Sequence, residues 1–412
     1  MEKYIKLIKD YSKNEYTKMT RKPDGNLKYP YIVPGSAYTD SLWDWDSWLT
    51  DIAVRQIMLD NHSQDEEYLE CEKGCILNFF EHIDADGRIP ISIMPDSTLP
   101  DFDKTTQTNI HKPCLAQHAA FIIKESGDST WLAPYFDKLE RFIDAYRKFF
   151  FHKETGLFFW IDDMAIGVDN DPCTFYRPHN SSASIFLNCL MYKEFAAMEY
   201  ICDSLGKDSG SCKEDRIALG NAIRKHLWDE RNGFYYNTDI NLLPIDPNEW
   251  LHSGMPRHWD ALIQKIDIWS GIMALWAGIA TKEQAERIVR ENLLNENTLC
   301  AKYGIRSLSK LEQMYLIVKS GNPSCWLGPV WGIVNYIAFQ SLVKYGYEKE
   351  ARELAEKLII LFGKDIEQCG EMHEYYHPDT GEGVNNQGFQ SWNMLINNII
   401  AWYESRPRVE EF

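Results

Sequence analysis

Four stretches of this sequence concentrate carboxylates, aromatic rings or both, residue types that together suit chemistry on a carbohydrate. The first is Leu42-Trp43-Asp44-Trp45-Asp46-Ser47-Trp48. A pyranose needs an aromatic face against its C–H surface and carboxylates that accept from neighbouring hydroxyls, and Trp43, Trp45 and Asp46 offer both. The same stretch also fits a buried aromatic plug in which Asp46 or Ser47 caps a helix. The second, Gly167-Val168-Asp169-Asn170-Asp171-Pro172, is either an ordinary turn or a carboxylate presented from a loop. It lacks the twelve-residue pattern of an EF-hand calcium loop. The third, Asn322-Pro323-Ser324-Cys325-Trp326-Leu327-Gly328-Pro329-Val330-Trp331, offers Trp326 and Trp331 beside a glycine that permits close backbone approach and a proline suited to a first helical turn. The fourth sets Glu374 beside Tyr375 and Tyr376, ahead of the turn Pro378-Asp379-Thr380-Gly381.

The elements that must position these clusters are helical. Apolar stripes predict about twelve helices, over 2–18, 46–61, 65–84, 113–126, 130–151, 181–205, 213–230, 267–279, 281–294, 329–346, 348–364 and 387–405. In 281–294, for example, Thr281 is the expected N-cap and Ala285, Ile288, Val289 and Leu293 form the buried face. Some connections are a few residues long, whereas others (85–112, 152–180, 231–266, 295–328, 365–386) are long loops of the kind that usually carry function. Two of them open on related phrases, Thr155-Gly156-Leu157-Phe158-Phe159-Trp160 and Asn232-Gly233-Phe234-Tyr235-Tyr236, a weak internal repeat. Short turns at one end and long loops at the other predict a ring of helical hairpins. The expectation is an all-α chain forming one domain over 1–412, an (α/α)6 barrel with its elaborate loops at one mouth.

Composition narrows the partners. The 412 residues carry 43 Lys plus Arg against 61 Asp plus Glu, a net charge of −18 that repels phosphate backbones and anionic lipid. Neither nucleic acid nor a membrane is expected as partner, and the N-terminal stretch 1–18 lacks a signal-peptide core, so a cytoplasmic location is expected. The ten cysteines form no Cys-x-x-Cys pair and no Cys/His cluster, which predicts reduced thiols and no structural metal. Aromatics reach 13% of the chain, with 14 Trp, 22 Tyr and 19 Phe.

Taken in order, Trp45-Asp46-Ser47, Gly167-x-Asp169-Asn170-x-Pro172, Asn188 to Tyr192, Gly328-Pro329-Val330-Trp331 with Asn335-Tyr336, Glu374-Tyr375-Tyr376 with its Pro-x-Thr-Gly turn, and Gly388-Phe389 to Trp392 resemble the family 63 glycoside hydrolases. The compact bacterial branch similar to mannosylglycerate and glucosylglycerate hydrolases is the nearer likeness, and trehalases the more distant. The resemblance implies an (α/α)6 barrel, inversion at the anomeric carbon, no cofactor and no metal. By motif, Asp169 corresponds to the general acid and Glu374 to the general base, which inversion sets ~6.5–9.5 Å apart to admit a water. Asp169 would then need surroundings that keep it protonated. Trp43, Trp45 and Asp46 match the sugar subsite, Trp326 and Trp331 the aromatic pair of the pocket, and Asn170, Tyr375 and Tyr376 fall in the same motifs.

The sequence also departs from that pattern. Cys173 stands where relatives have Arg, Phe186 where an Asp often precedes the helix asparagine, and His111-Lys112-Pro113-Cys114 replaces a Ser-Gln-Pro-Pro loop. Arg177 and Lys112 are candidate partners for a carboxylate-bearing aglycone such as glycerate. The expected substrate is a small α-linked glucoside or mannoside. Two other functions fit a helical barrel: a sugar epimerase drawing its acid and base from His111, His179, His252, His258 and His373, or a barrel that binds sugar without catalysis.

Overall fold

A computed structural model describes residues 1–412 except 39, 103–108, 164–165, 176, 244–245, 247, 249, 252–258 and 319–322. Twelve α-helices run through the described residues: α1 (Glu2–Glu15), α2 (Asp44–Asp60), α3 (Glu66–Glu81), α4 (Leu115–Ser126), α5 (Phe136–Phe149), α6 (Ile185–Leu205), α7 (Cys212–His226), α8 (Met273–Trp276), α9 (Lys282–Arg287), α10 (Gly332–Lys344), α11 (Glu348–Cys369) and α12 (Ile396–Tyr403). The even-numbered helices pack in sequence, α2 on α4, α4 on α6, α6 on α8, α8 on α10, α10 on α12, and α12 back on α2. Burial follows that division. Helix α2 is buried without a break from Asp44 to Val54, and α10 from Gly332 to Leu342. Helix α5 instead buries a stripe of Phe136, Leu139, Phe142, Ile143, Ala145 and Tyr146, as a helix with one face in water must.

Where a long helix was expected, the structure often breaks it. Residues 281–294 start on the predicted Thr281 cap, whose side chain and Gln284 form a reciprocal capping box, but the helix widens into a π-turn segment over Ile288–Leu293. Helix α6 starts at Ile185, capped by the Ser184 side chain, because Ser182–Ala183 is a strand. Pro329 is not in a helical turn: Val330–Trp331 is a strand and α10 begins at Gly332. Gly328 does have the close approach expected of it, since its φ is +144° and an added Cβ would lie 2.4 Å from the Tyr315 ring.

The long connections contain small antiparallel sheets. The two related phrases become matching hairpins, Phe151–His152 with Leu157–Phe158 and Trp228–Asp229 with Phe234–Tyr235. Inner-helix asparagines hold such hairpins in place. Asn188 of α6 accepts from the Phe158 N–H and donates to the Phe158 carbonyl, and Asn335 of α10 does the same to Ile305. A three-stranded sheet pairs Val330–Trp331 with Tyr375–Tyr376 and the latter with Gly383–Asn385, so Trp331 lies opposite Tyr375 and next to Glu374 in the neighbouring chain segment. Buried apolar residues from Ile5 to Val409 form one continuous cluster. No helix among the described residues is long and apolar enough to cross a membrane.

Candidate active site

Among the described residues, every connection that enters an inner helix from an outer one, save that between α7 and α8, contributes to one pocket of about 300 Å³. The segment before α2 supplies Tyr38 and Trp43, and the first turn of α2 adds Trp45 and Asp46. Lys112 comes from the approach to α4, Asp169 from that to α6, Trp326 and Trp331 from that to α10, and Glu374, Phe389 and Trp392 from that to α12. The pocket therefore lies at the N-terminal ends of inner helices, where helix dipoles favour negative charge. Asp46 does not cap α2. The helix starts two residues earlier, and Asp44 accepts from the Trp45 N–H instead.

Three carboxylates share this pocket, and burial dominates two of them. Glu374 is pushed up to about 7 by desolvation and further by the charge of Asp169, against the pull of three donors. Asn385 and Asn386 donate to its Oε2 at 3.2 and 3.1 Å, and the Tyr38 hydroxyl reaches Oε1 at 3.4 Å. Asp46 is likewise raised to about 7 by burial, with Asp44 and Glu374 adding to the rise while Ser391, at 2.8 Å from Oδ1, and Lys112 oppose it. Burial and the surrounding charges of Glu374, Asp46 and Asp169 lift the Tyr38 phenol far above its ordinary range, so it stays a hydrogen-bond donor. Carboxylates held near neutrality in an aromatic pocket can take and give protons at physiological pH.

Lys112, the cation lining the pocket among the described residues, is itself neutralised. Lys112 Nζ sits 2.9 Å from Asp44 Oδ1 with both side chains fully buried, and 4.6 Å from the centre of the Trp45 ring. The aromatic wall is continuous: Trp326 and Trp331 stack, Trp331 leans on Tyr375, and Trp45 meets Trp392 edge-on at 5.1 Å. Phe186, in place of a charged residue, packs between Trp45, Trp160 and Trp269 and makes the ground beneath Trp45 apolar. The indole N–H groups of Trp43 and Trp392 are buried without an acceptor among the described residues.

Of the residues expected at the sugar, Trp43, Trp45, Asp46, Asp169, Trp326, Trp331 and Glu374 line the pocket together with Lys112. Four others do not. Asn170, in left-handed backbone at φ +97°, turns its amide to the Trp326 N–H and the Ser324 carbonyl and so anchors that loop. Tyr375 donates to the Pro323 carbonyl at 2.6 Å, and Tyr376 donates to Asp365 at 2.8 Å, which draws both hydroxyls away from the cavity. Arg177 is paired with Asp239. Of the histidines, His111 is buried against the Lys112 carbonyl and lowered to about 4, His179 faces Asp162, and His373 bonds Asp365. None of the three lines the pocket. His252, His258 and Asn322 lie outside the described residues.

Among the described residues two groupings have the donor types for a cation, Asp44 with His111 and Cys114, and Asp365 with Cys369 and His373. Both are already committed, Asp44 to Lys112 and Asp365 to His373 and Tyr376. The ten cysteines are free thiols, all but Cys369 buried. Tyr38, Phe389 and Trp392 are lining residues that the sequence reading did not single out. Phe389 and Trp392 sit in a motif it quoted, whereas Tyr38 stands in a Gly-led turn with no aromatic-carboxylate signature of its own.

The chain is similar to known proteins in sequence and in fold. Residues 39–392 match the family model of the mannosylglycerate hydrolase MGH1-like glycoside hydrolase domain. A mannosylglycerate hydrolase of Selaginella moellendorffii is 21% identical over 90% of this chain and 82% of its own length. A probable trehalase of Eremothecium gossypii is 25% identical over 82% of this chain, which spans 50% of that protein. Among solved structures, a family 63 mannosylglycerate hydrolase from Thermus thermophilus in complex with glucose superimposes with a TM-score of 0.70 over 96% of this chain and all of that one, at 18% identity. The chain belongs to the MGH1-like mannosylglycerate hydrolase family of glycoside hydrolases, within family 63, and is a glycosidase.

Proposed function

We propose that this enzyme is an inverting hydrolase of a small α-linked glucoside or mannoside, with Asp169 as general acid and Glu374 as general base. One observation carries the reading: the two carboxylates line one aromatic pocket and are close enough that the charge of Asp169 raises Glu374. In this scheme Asp169 protonates the leaving glycosidic oxygen while Glu374 takes a proton from a water attacking the opposite face, and carboxylates alone supply the chemistry. Trp43, Trp45, Trp326, Trp331 and Trp392 would cradle the sugar, with Asp46 accepting from its hydroxyls. The closed contact ring of α2, α4, α6, α8, α10 and α12 supports one (α/α)6 barrel domain over 1–412.

The relatives named above make glycosylglycerates the first substrates to test, and Lys112 is the ammonium lining the pocket among the described residues. Wild-type protein, Asp169→Asn and Glu374→Gln are assayed on mannosylglycerate, glucosylglycerate and neutral α-linked disaccharides. Release of a monosaccharide by wild type and its loss in both variants supports the reading. An isomerised sugar without hydrolysis, or turnover unaffected by either change, overturns it.

A further inference from the structure

The two amides that reach Glu374 are adjacent in sequence, and adjacent residues of an extended strand point to opposite faces. Asn385 ends the strand Gly383–Asn385, whose carbonyl accepts from the Glu374 N–H at 3.0 Å. Asn386 turns into left-handed backbone at φ +52°, a conformation asparagine tolerates better than most residues, and this break brings both side chains to the same oxygen, Oε2. The second end of Asn386 is occupied as well. Its Oδ1 accepts from the Ala37 N–H at 3.3 Å, and Ser36 Oγ lies 2.6 Å from it. Reversing the amide would set its NH₂ against the Ala37 N–H and its oxygen against the carboxylate, so the contacts on both sides define its orientation.

We propose that Asn386 is a two-ended positioning residue, one amide that holds the Glu374 carboxylate and the segment Ser36–Tyr38 in register with each other. The inference rests on the reading of Glu374 as the base and adds to it a link to the loop that carries Tyr38. Tyr38 is the third donor to Glu374, and its ring meets Trp43 and Phe389 edge-on. Asn386 therefore connects the base with part of the aromatic wall by way of Ala37, 349 positions from it in the chain. Asn385 makes a comparable bond to Oε2 and, among the described residues, none to that loop, which makes it the natural control.

The groups facing Glu374 are Asn385, Asn386, Tyr38 and Asp169, with Asp46 coupled to it and Lys112 acting on Asp46. Donors to a carboxylate favour its ionised form, so loss of either amide should move the acid limb of kcat/KM to higher pH by about one unit. Only the change at Asn386 should also loosen Ser36–Tyr38 and raise KM.

The experiment compares Asn385→Ala, Asn386→Ala and Ser36→Ala on the best substrate of the panel, alongside a substrate-free ¹³C NMR titration of carboxyl-labelled glutamate in which Glu374→Gln identifies the signal. The expected result has three parts: a raised limb in both asparagine variants, a severalfold higher KM in Asn386→Ala and Ser36→Ala, and a limb that moves less in Ser36→Ala than in Asn386→Ala, since Ser36→Ala keeps both amides on Glu374. Equal KM in Asn385→Ala and Asn386→Ala overturns the link, and an unshifted Glu374 titration in Asn386→Ala overturns the contact. Turnover that persists in Glu374→Gln would instead remove the base assignment, while the NMR titration still reads the amide contact on its own.

Discussion

Lys112 Nζ stands 2.9 and 3.1 Å from the two carboxylate oxygens of Asp44, and the Lys112 N–H donates to the same group at 2.8 Å, with both side chains fully buried. A buried pair contributes little net stability when intact but costs heavily when halved. Lys112→Met should lower unfolding free energy by about 3–5 kcal/mol. Urea unfolding of Lys112→Met, Asp44→Asn and the double variant checks this, and the double change should cost less than the sum of the singles. Additive losses would mean that the pair is energetically uncoupled.

Trp331 is buried, stacks on Trp326 at 3.9 Å with planes 7° apart, and donates to the Cys325 carbonyl at 2.8 Å. It is both core and pocket wall. Trp331→Ala should therefore lose about 3–5 kcal/mol of stability, and about 1–3 kcal/mol in kcat/KM as well. Trp45→Ala should show the second loss and also release Lys112 from its ring. Melting and kinetics on the same preparations separate the two contributions, and full activity per folded molecule would remove either ring from the sugar platform.

Glu374 is raised to about 7 in the folded chain, so below pH 7 the proposed base is increasingly protonated. The acid limb of kcat/KM should fall with an apparent midpoint near 7, shared with Asp46, which is raised as far. A profile flat down to pH 5 would contradict Glu374 as the base.

The same shift sets the sign of a stability effect. A carboxyl raised by folding binds its proton more tightly in the native state, so its favourable contribution is complete below the unfolded value and is lost as pH rises through about 7. Glu374→Gln mimics the protonated form. It should match wild type near pH 4.5 and exceed it at pH 8 by about 1–3 kcal/mol, while hydrolysis is abolished. A Tm difference that does not grow with pH would refute the buried-charge explanation.

Asp169→Asn should fold normally and lose at least about 100-fold in rate on substrates with unactivated leaving groups. Proton NMR of the first sugar released by wild type from an α-linked substrate should show the β-anomer. Initial α-anomer would require a covalent intermediate and a closer pair of carboxylates.

Helices were legible because their information is local. The stripe Ala285, Ile288, Val289 and Leu293 and the Thr281 cap are read within a few turns of chain, and both reappear in α9 and the π-turn segment after it. So were the neighbourhoods of the site, because indoles and carboxylates concentrated in loops are conspicuous. What sequence could not decide is where each side chain points. Tyr375 and Tyr376 stand beside Glu374, yet their hydroxyls go to Pro323 and Asp365, since the sheet register sends them there. Tyr38 and Glu374 meet across 336 positions, and Lys112 meets Asp44 across 68. Such contacts exist only because the inner helices bring the loops at their N-terminal ends to one place. Residue type and spacing determined which chemistry was present, and the closing of the helices on one another decided which groups share a pocket, because proximity across distant loops is a property of packing and has no local signal in the chain.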